Sequence, residues 1–303
     1  MFAAFLAAFF FALNGTCASN SLRANGPVLA NLGRLAVATI VLGLFAHTVG
    51  HGFSSASLGW FVLSGVIGMG LGDLGVFAAL PLLGSRLTVL VMQCLAAPLA
   101  ALAEWLWLGT RLTSAQVLWG LLILGGVAVA IMPGKASPPR VRVRPIGFVF
   151  GFIAACGQGF GAVVSRKGGM VAAAAGESVS NAIFGLTAAY QRILAGLVFT
   201  AVWFIGARLL RQLPTGPSPL PGEKRPSRAW LLANGLSGPV LGVGSYQWAL
   251  ATTPGGIVLP IAATAPLLAI PIAWWLEGDR PSRRSIAGGI IAVSGCVALT
   301  LAR

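Results

Sequence analysis

Apolar runs of helix length alternate with short polar breaks along almost the whole chain, and this pattern predicts the elements. Ten runs can be drawn: Phe2 to Asn20, Val28 to Val49, Leu58 to Leu80, Leu87 to Leu108, Ser114 to Met132, Ile146 to Ser165, Ala182 to Ile205, Ala229 to Leu250, Gly256 to Leu276 and Ser285 to Leu301. At about 1.5 Å of rise per residue, runs of this length cross most of a hydrocarbon layer about 30 Å thick. Two connections in the second half are longer, Gly168 to Asn181 and Leu213 to Arg228, and the first of these has room for an interfacial turn of helix.

The stretch from Gly65 to Gly109 carries most of the information. Gly65, Gly68, Gly72 and Gly75 recur at helical spacing and form a smooth stripe, so a second helix is expected close against it. Asp73 sits beside the stripe in a run otherwise free of charge, where an ionisable group needs a polar interior or a partner. Pro98 interrupts the following run.

A basic, proline-containing segment, 134–145, divides the chain into a first unit at 1–133 and a second at 146–303. The second unit echoes the first. Trp60, Gly65, Gly68, Gly72 and Leu80 return at one offset as Trp230, Gly235, Gly238, Gly242 and Leu250; Pro98 returns as Pro266, and Arg34 as Arg192. Five helices per unit is an odd number, so the second copy enters from the opposite side. The expected fold is therefore an all-α polytopic membrane protein, ten transmembrane helices arranged as two inverted five-helix repeats.

Composition agrees. Hydrophobic residues make up 57% of the chain and charged residues 9%, with a mean hydropathy of +0.88, against about 25% charge in ordinary soluble domains. The net charge of +14 lies in loops beside apolar runs, where it reads as an orientation signal and a lipid contact, and nucleic acid is not an expected partner. Weighing Lys and Arg by side puts both termini outside, with Lys135, Arg140, Arg142 and Arg144 prominent on the inner side. The first run lacks a basic leader and a small-residue cleavage site, so it is expected to stay as helix one. Cys17, Cys94, Cys156 and Cys296 lie within apolar runs and are read as packing residues, with no metal and no cofactor implied.

Two signatures then point to a family: Pro98 through Glu104-Trp105-Leu106-Trp107-Leu108-Gly109-Thr110-Arg111, and Pro266 through Trp274-Trp275-Leu276-Glu277-Gly278-Asp279-Arg280. With the five-plus-five layout, the chain resembles the drug/metabolite transporter superfamily, EamA type. It departs from the family pattern at Thr110 and Asp279, which stand where glutamate is usual. The resemblance implies a helical basket around a central cavity that opens alternately to the two sides, moving small polar metabolites such as amino acids, in the export direction. It places the protein as a multi-pass component of a cell membrane of the bacterial inner-membrane kind. It also sets the termini in the cytoplasm, against the charge distribution. A monomer or weak oligomer in the lipid bilayer is expected.

Polar side chains deep in apolar runs are the candidates for contact with a small-molecule substrate: Asn14, Asp73, Gln93, Gln158, Tyr246, Gln247 and Trp248. Each has a structural alternative. The amides serve equally as interhelical hydrogen-bond partners, and Tyr246 and Trp248 as lipid-facing or core aromatics, their mid-run position speaking against an interfacial belt. Asp73 is either functional or ion-paired with Arg34 or Arg86; Arg34 and Arg192 are expected to snorkel to the headgroups, with ligand binding as the alternative, and Glu104 to be solvated or interfacial. Gly65, Gly68, Gly72, Gly75, Gly235, Gly238 and Gly242 are read as helix-packing positions. A membrane-embedded enzyme is the second class considered. It would want a catalytic cluster, whereas His47 and His51 sit in one loop with no acidic residue close in sequence. A non-transporting scaffold is the third, and it leaves Asp73 unexplained.

Overall fold

The computed structural model describes residues 1–25, 27–132, 143–209, 227–269, 271 and 282–302. The described residues are helical, with no strand among them. In chain order the elements are α1 (Phe2–Asn25), α2 (Pro27–Thr48), α3 (Leu58–Leu83), α4 (Ser85–Ala103), α5 (Ser114–Ile131), α6 (Ile146–Ala174), α7 (Ala182–Leu209), α8 (Trp230–Gly235, continuing through Leu236–Val243 to Gly244–Thr252), α9 (Gly255–Ala262) and α10 (Arg283–Leu301). Eight helices among the described residues are long and apolar enough to cross a membrane: α1 to α7 and α10, with α4 counted as Leu87–Leu108.

Several boundaries move outward from the hydrophobic pattern. Helix α1 runs on to Asn25 and α3 to Leu83, because short polar or proline-bearing segments still satisfy their backbone groups by continuing the helix. Helix α6 runs to Ala174 instead of stopping near Ser165, so Arg166 and Lys167, expected at its end, lie inside it. Most of the basic segment 134–145, the longer connection around Leu213 to Arg225, and the signature from Trp274 to Arg280 lie outside the described residues.

Three helices widen into π geometry: α3 at Val66–Gly72, α8 at Leu236–Val243, and the end of α4 at Glu104–Leu108. In α8 the cause is visible, since Pro239 lacks the N–H that an α-turn requires. The α4 π-turn closes on Gly109 in the left-handed region (φ 69°), and the Thr110 N–H reaches back to the Glu104 carbonyl at 3.2 Å.

Helix α1 shows how the protein divides inside from outside. Ala3, Ala4, Ala7, Ala8 and Ala12 are buried against neighbouring helices, while Phe2, Phe5 and Phe9 face outward. Small residues inward and large apolar residues outward is the arrangement a bilayer favours, because lipid takes the bulky side chains and close packing holds the helices. The same outward display continues in Ile40, Leu44, Leu106, Val202 and Ile290. Helices α5 and α10 pack antiparallel on glycines, where a methyl group added at Gly126 would sit 2.5 Å from the Ala292 nitrogen.

Candidate functional site

The site grows from the close approach that glycine permits. A methyl group at Gly65 would strike the Arg192 carbonyl oxygen, and one at Gly68 would strike the Arg192 Nη2; one at Gly72 would sit 3.3 Å from the Gly157 Cα, and one at Gly75 2.7 Å from the Ala154 nitrogen. The α3 stripe is thus pressed against α6 and α7. On α8, Gly235 faces Val37 and the Arg34 carbonyl, Gly238 faces the Asn14 amide, and Gly242 faces the Phe11 ring.

Arg192 lies in the groove that Gly65 and Gly68 leave, 5% exposed. It does not snorkel, which corrects the expectation from its depth alone. Acceptors inside the protein hold it: its Nη1 donates to Gln247 Oε1 at 3.1 Å, Gln247 Nε2 donates to Ser165 Oγ at 2.9 Å, and Ser165 lies 2.7 Å from Ser64 Oγ. Ser64 Oγ donates to the Gly161 carbonyl at 2.6 Å. With Ser64 donating there, the proton between the serines belongs to Ser165, and every bond in the chain runs the same way, from Arg192 to a backbone carbonyl. The Tyr246 ring lies 5.9 Å from the guanidinium carbon. Arg192 Nε and the Tyr246 hydroxyl are both fully covered and have no hydrogen-bond partner among the described residues.

Asp73 is paired with Arg34. The Arg34 Nη2 to Asp73 Oδ2 distance is 3.1 Å, and Arg34 Nε donates to Asn31 Oδ1 at 2.9 Å. The two side chains keep 25% and 26% of their surface accessible, so this pair is more open than Arg192. Asp73 and Arg192 lie within Coulombic range of each other.

Glu104 is neither solvated nor interfacial. It is 1% exposed, accepts from the Gly255 N–H at the start of α9 at 2.8 Å, and lies 3.4 Å from Arg166 Nε. Arg166 also donates to the Leu250 carbonyl at 3.2 Å, so one ion pair ties α4, α6, α8 and α9 together. The reason is the extension of α6, which carries Arg166 past its expected end and into the packed interior.

The remaining candidates separate into pairs. Gln158 Nε2 donates to Gln93 Oε1 at 2.8 Å, joining α6 to α4, and Ser237 Oγ donates to Asn14 Oδ1 at 3.1 Å, joining α8 to α1. Trp248 stands one turn from the end of α8, not at mid-depth. Its indole N–H donates to the Ser180 carbonyl at 2.8 Å, and its ring meets Phe2 edge-on at 6.2 Å. Tyr246 and Gln247 are thus the two candidates that meet at the Arg192 cluster. Arg192, Ser165, Ser64, Arg166 and Glu104 were not among the candidates. Arg192 stands next to Gln191 and Tyr190 in an apolar run, a polar triplet that signals an inward face. Among the described residues, no three His, Cys, Asp or Glu side chains gather where they could hold a metal ion.

A solved crystal structure of a protein is similar over 99% of this chain and 96% of its own, with a TM-score of 0.69 at 20% identity, a likeness of fold. No curated protein matches. The model of the EamA-like transporter family matches residues 1–132 and 145–301. This chain, a multi-span membrane protein, therefore belongs to the EamA-like transporter family of the drug/metabolite transporter superfamily.

Proposed function

We propose that the protein is a ten-span carrier, built as two inverted five-helix repeats (1–133 and 146–303), that moves small polar metabolites such as amino acids by alternating access in the export direction. The observation that carries this reading is the buried Arg192–Gln247–Ser165–Ser64 chain beside the Arg34–Asp73 pair, since polar groups are kept within apolar spans where a solute must be recognised. Three further features support the repeat. The π segments Val66–Gly72 and Leu236–Val243 fall at matching places of the two units. Gly65 meets the Arg192 carbonyl as Gly235 meets the Arg34 carbonyl. And α5 packs antiparallel on α10, as the last helices of two inverted units would.

Facilitated diffusion is the proposed energetics. Asp73 is committed to Arg34, and Asn14 and Gln158 cannot titrate. The test is uptake of a panel of labelled amino acids and related solutes into proteoliposomes, with and without a pH gradient, for wild type and Asp73→Asn. Counterflow without gradient-driven accumulation is expected. Absence of movement of every solute overturns the carrier reading; gradient-driven accumulation that is lost in Asp73→Asn replaces facilitated diffusion with coupling by a single proton at Asp73, and accumulation that persists in Asp73→Asn overturns both.

A further inference from the structure

Charge accounting around the site is incomplete in one place. Arg34 is balanced by Asp73 and Arg166 by Glu104, each within 4 Å. No carboxylate among the described residues lies within 4 Å of Arg192, which is held by an amide oxygen and an aromatic ring. Asp73 acts on it only at longer range, and an enclosed guanidinium with no carboxylate in direct contact is costly, so a structure that keeps one has a use for it.

The hydrogen-bond directions say what kind of group is missing. The chain from Arg192 through Gln247, Ser165 and Ser64 runs one way, each group donating to the next, and ends on the Gly161 carbonyl. Among the described residues the Arg192 Nε–H has no partner, and neither has the O–H of Tyr246, whose ring lies 5.9 Å from the guanidinium carbon. Two unpartnered donors, one of them on a cation without a direct ion pair, match an acceptor-only group, such as a carboxylate or similar oxyanion. Both atoms have no accessible surface in this conformation, so the group reaches them only when the helices around α8 part.

Resting on the carrier reading above, we propose that the cargo carries an anionic group and that this group docks on Arg192 Nε and the Tyr246 hydroxyl. The neighbouring Arg34–Asp73 pair stays intact and does not hold that group. A solute with a carboxylate binds whether or not it also bears an ammonium; a solute bearing the ammonium alone does not.

The experiment compares three probes that share one frame: 3-phenylpropionate, phenylalanine and phenethylamine. Thermal stabilisation of the purified protein in detergent is read for wild type, Arg192→Gln, Arg192→Lys and Tyr246→Phe. Stabilisation by the two carboxylates and not by the amine is expected, with apparent affinity falling at least tenfold in Arg192→Gln and less in Arg192→Lys. Tyr246→Phe keeps the ring and removes a hydroxyl with no partner, so without ligand it should be as stable as wild type or more so, yet bind the carboxylates several-fold more weakly. A purely structural role for Tyr246 predicts the stability change and no loss of binding. Equal stabilisation by phenethylamine, or unchanged carboxylate binding in both Arg192→Gln and Tyr246→Phe, overturns the proposal. So does a null result with all three probes; if another solute still moves in the proteoliposome assay, the carrier reading stands and only the anionic docking falls.

Discussion

Arg34 and Arg192 begin alike and end differently. Each stands on a helix whose backbone carbonyl at that residue is pressed against a glycine of another helix, Gly235 for Arg34 and Gly65 for Arg192. Arg34 reaches Asp73 and stays a quarter exposed; Arg192 is 5% exposed and reaches an amide. The cause can be read in the sequence. Counting from Gly72 and Gly242, Asp73 is followed in the second unit by Val243, which is buried and cannot pair with a cation. A difference of one side chain therefore separates a cation in a direct ion pair from a buried cation without one. The lesson is that glycine fixes where the arginines sit, while the residue one step beyond it decides what they can bind.

The largest expected effect comes from the glycines themselves. At Gly65 an added side chain meets a backbone carbonyl, which cannot step aside; at Gly235 it first meets the Val37 side chain at 2.7 Å, which can rotate, with the Arg34 carbonyl at 3.2 Å. Gly65→Leu should yield no monodisperse protein. Gly65→Ala should lie near the upper end of the roughly 1–3 kcal/mol range for overpacking and Gly235→Ala near its lower end, measured by thermal unfolding in detergent. Equal cost at both positions would show that the two arginine helices are seated alike after all.

Glu104→Gln comes next and tests the ion pair that Arg166 enjoys and Arg192 lacks. Glutamine keeps an acceptor for the Gly255 N–H but leaves Arg166 enclosed without a counter-charge. Breaking a buried pair from one side costs about 3–5 kcal/mol. Simultaneous replacement, Glu104→Gln with Arg166→Met, should recover much of that loss. If the double variant is as unstable as the single one, the pair contributes packing and not charge balance.

Val243→Asp attacks the comparison directly by placing a carboxylate at the second-unit position that matches Asp73. If the Arg192 cation is kept open for a ligand, this internal carboxylate should compete, and 3-phenylpropionate should bind at least tenfold more weakly while the protein remains folded. Undiminished binding would separate Arg192 from the docking of the anion.

Much of the layout was legible beforehand, and the reasons are physical. Helical period and apolar length define spans because a bilayer imposes both, and the EamA signatures around Pro98 and Gly109 identified the family. Side-chain partners were not legible. Gln93 and Gln158 are distant in sequence, as are Asn14 and Ser237, and no spacing rule links them. The depth of Glu104 does not follow from its place at the end of an apolar run, because the π-turn at Glu104–Leu108 and the extended α6 enclose it. Arg192 departs from its pattern for the opposite reason: snorkelling is the default for a lone arginine near a helix end, and only its contact with Gly65 and Gly68 gives the side chain a groove to lie in.

The smallest expected effect belongs to an uncharged pair, which serves as a control for the claim that charge sets the two arginines apart. Gln93 and Gln158 meet at 2.8 Å between α4 and α6, half-buried. Interhelical hydrogen bonds within membranes average about 0.6 kcal/mol in double-mutant cycles, because the alternatives open to each amide are nearly as good. The cycle Gln93→Leu, Gln158→Leu and the double variant should therefore give a coupling near that value, and carboxylate binding should stay within a factor of two of wild type. A coupling of several kcal/mol would place this pair among the structural ties of the bundle. Loss of binding with stability preserved would move the solute path toward α4 and away from Arg192, and the contrast between the two arginines would then describe packing alone.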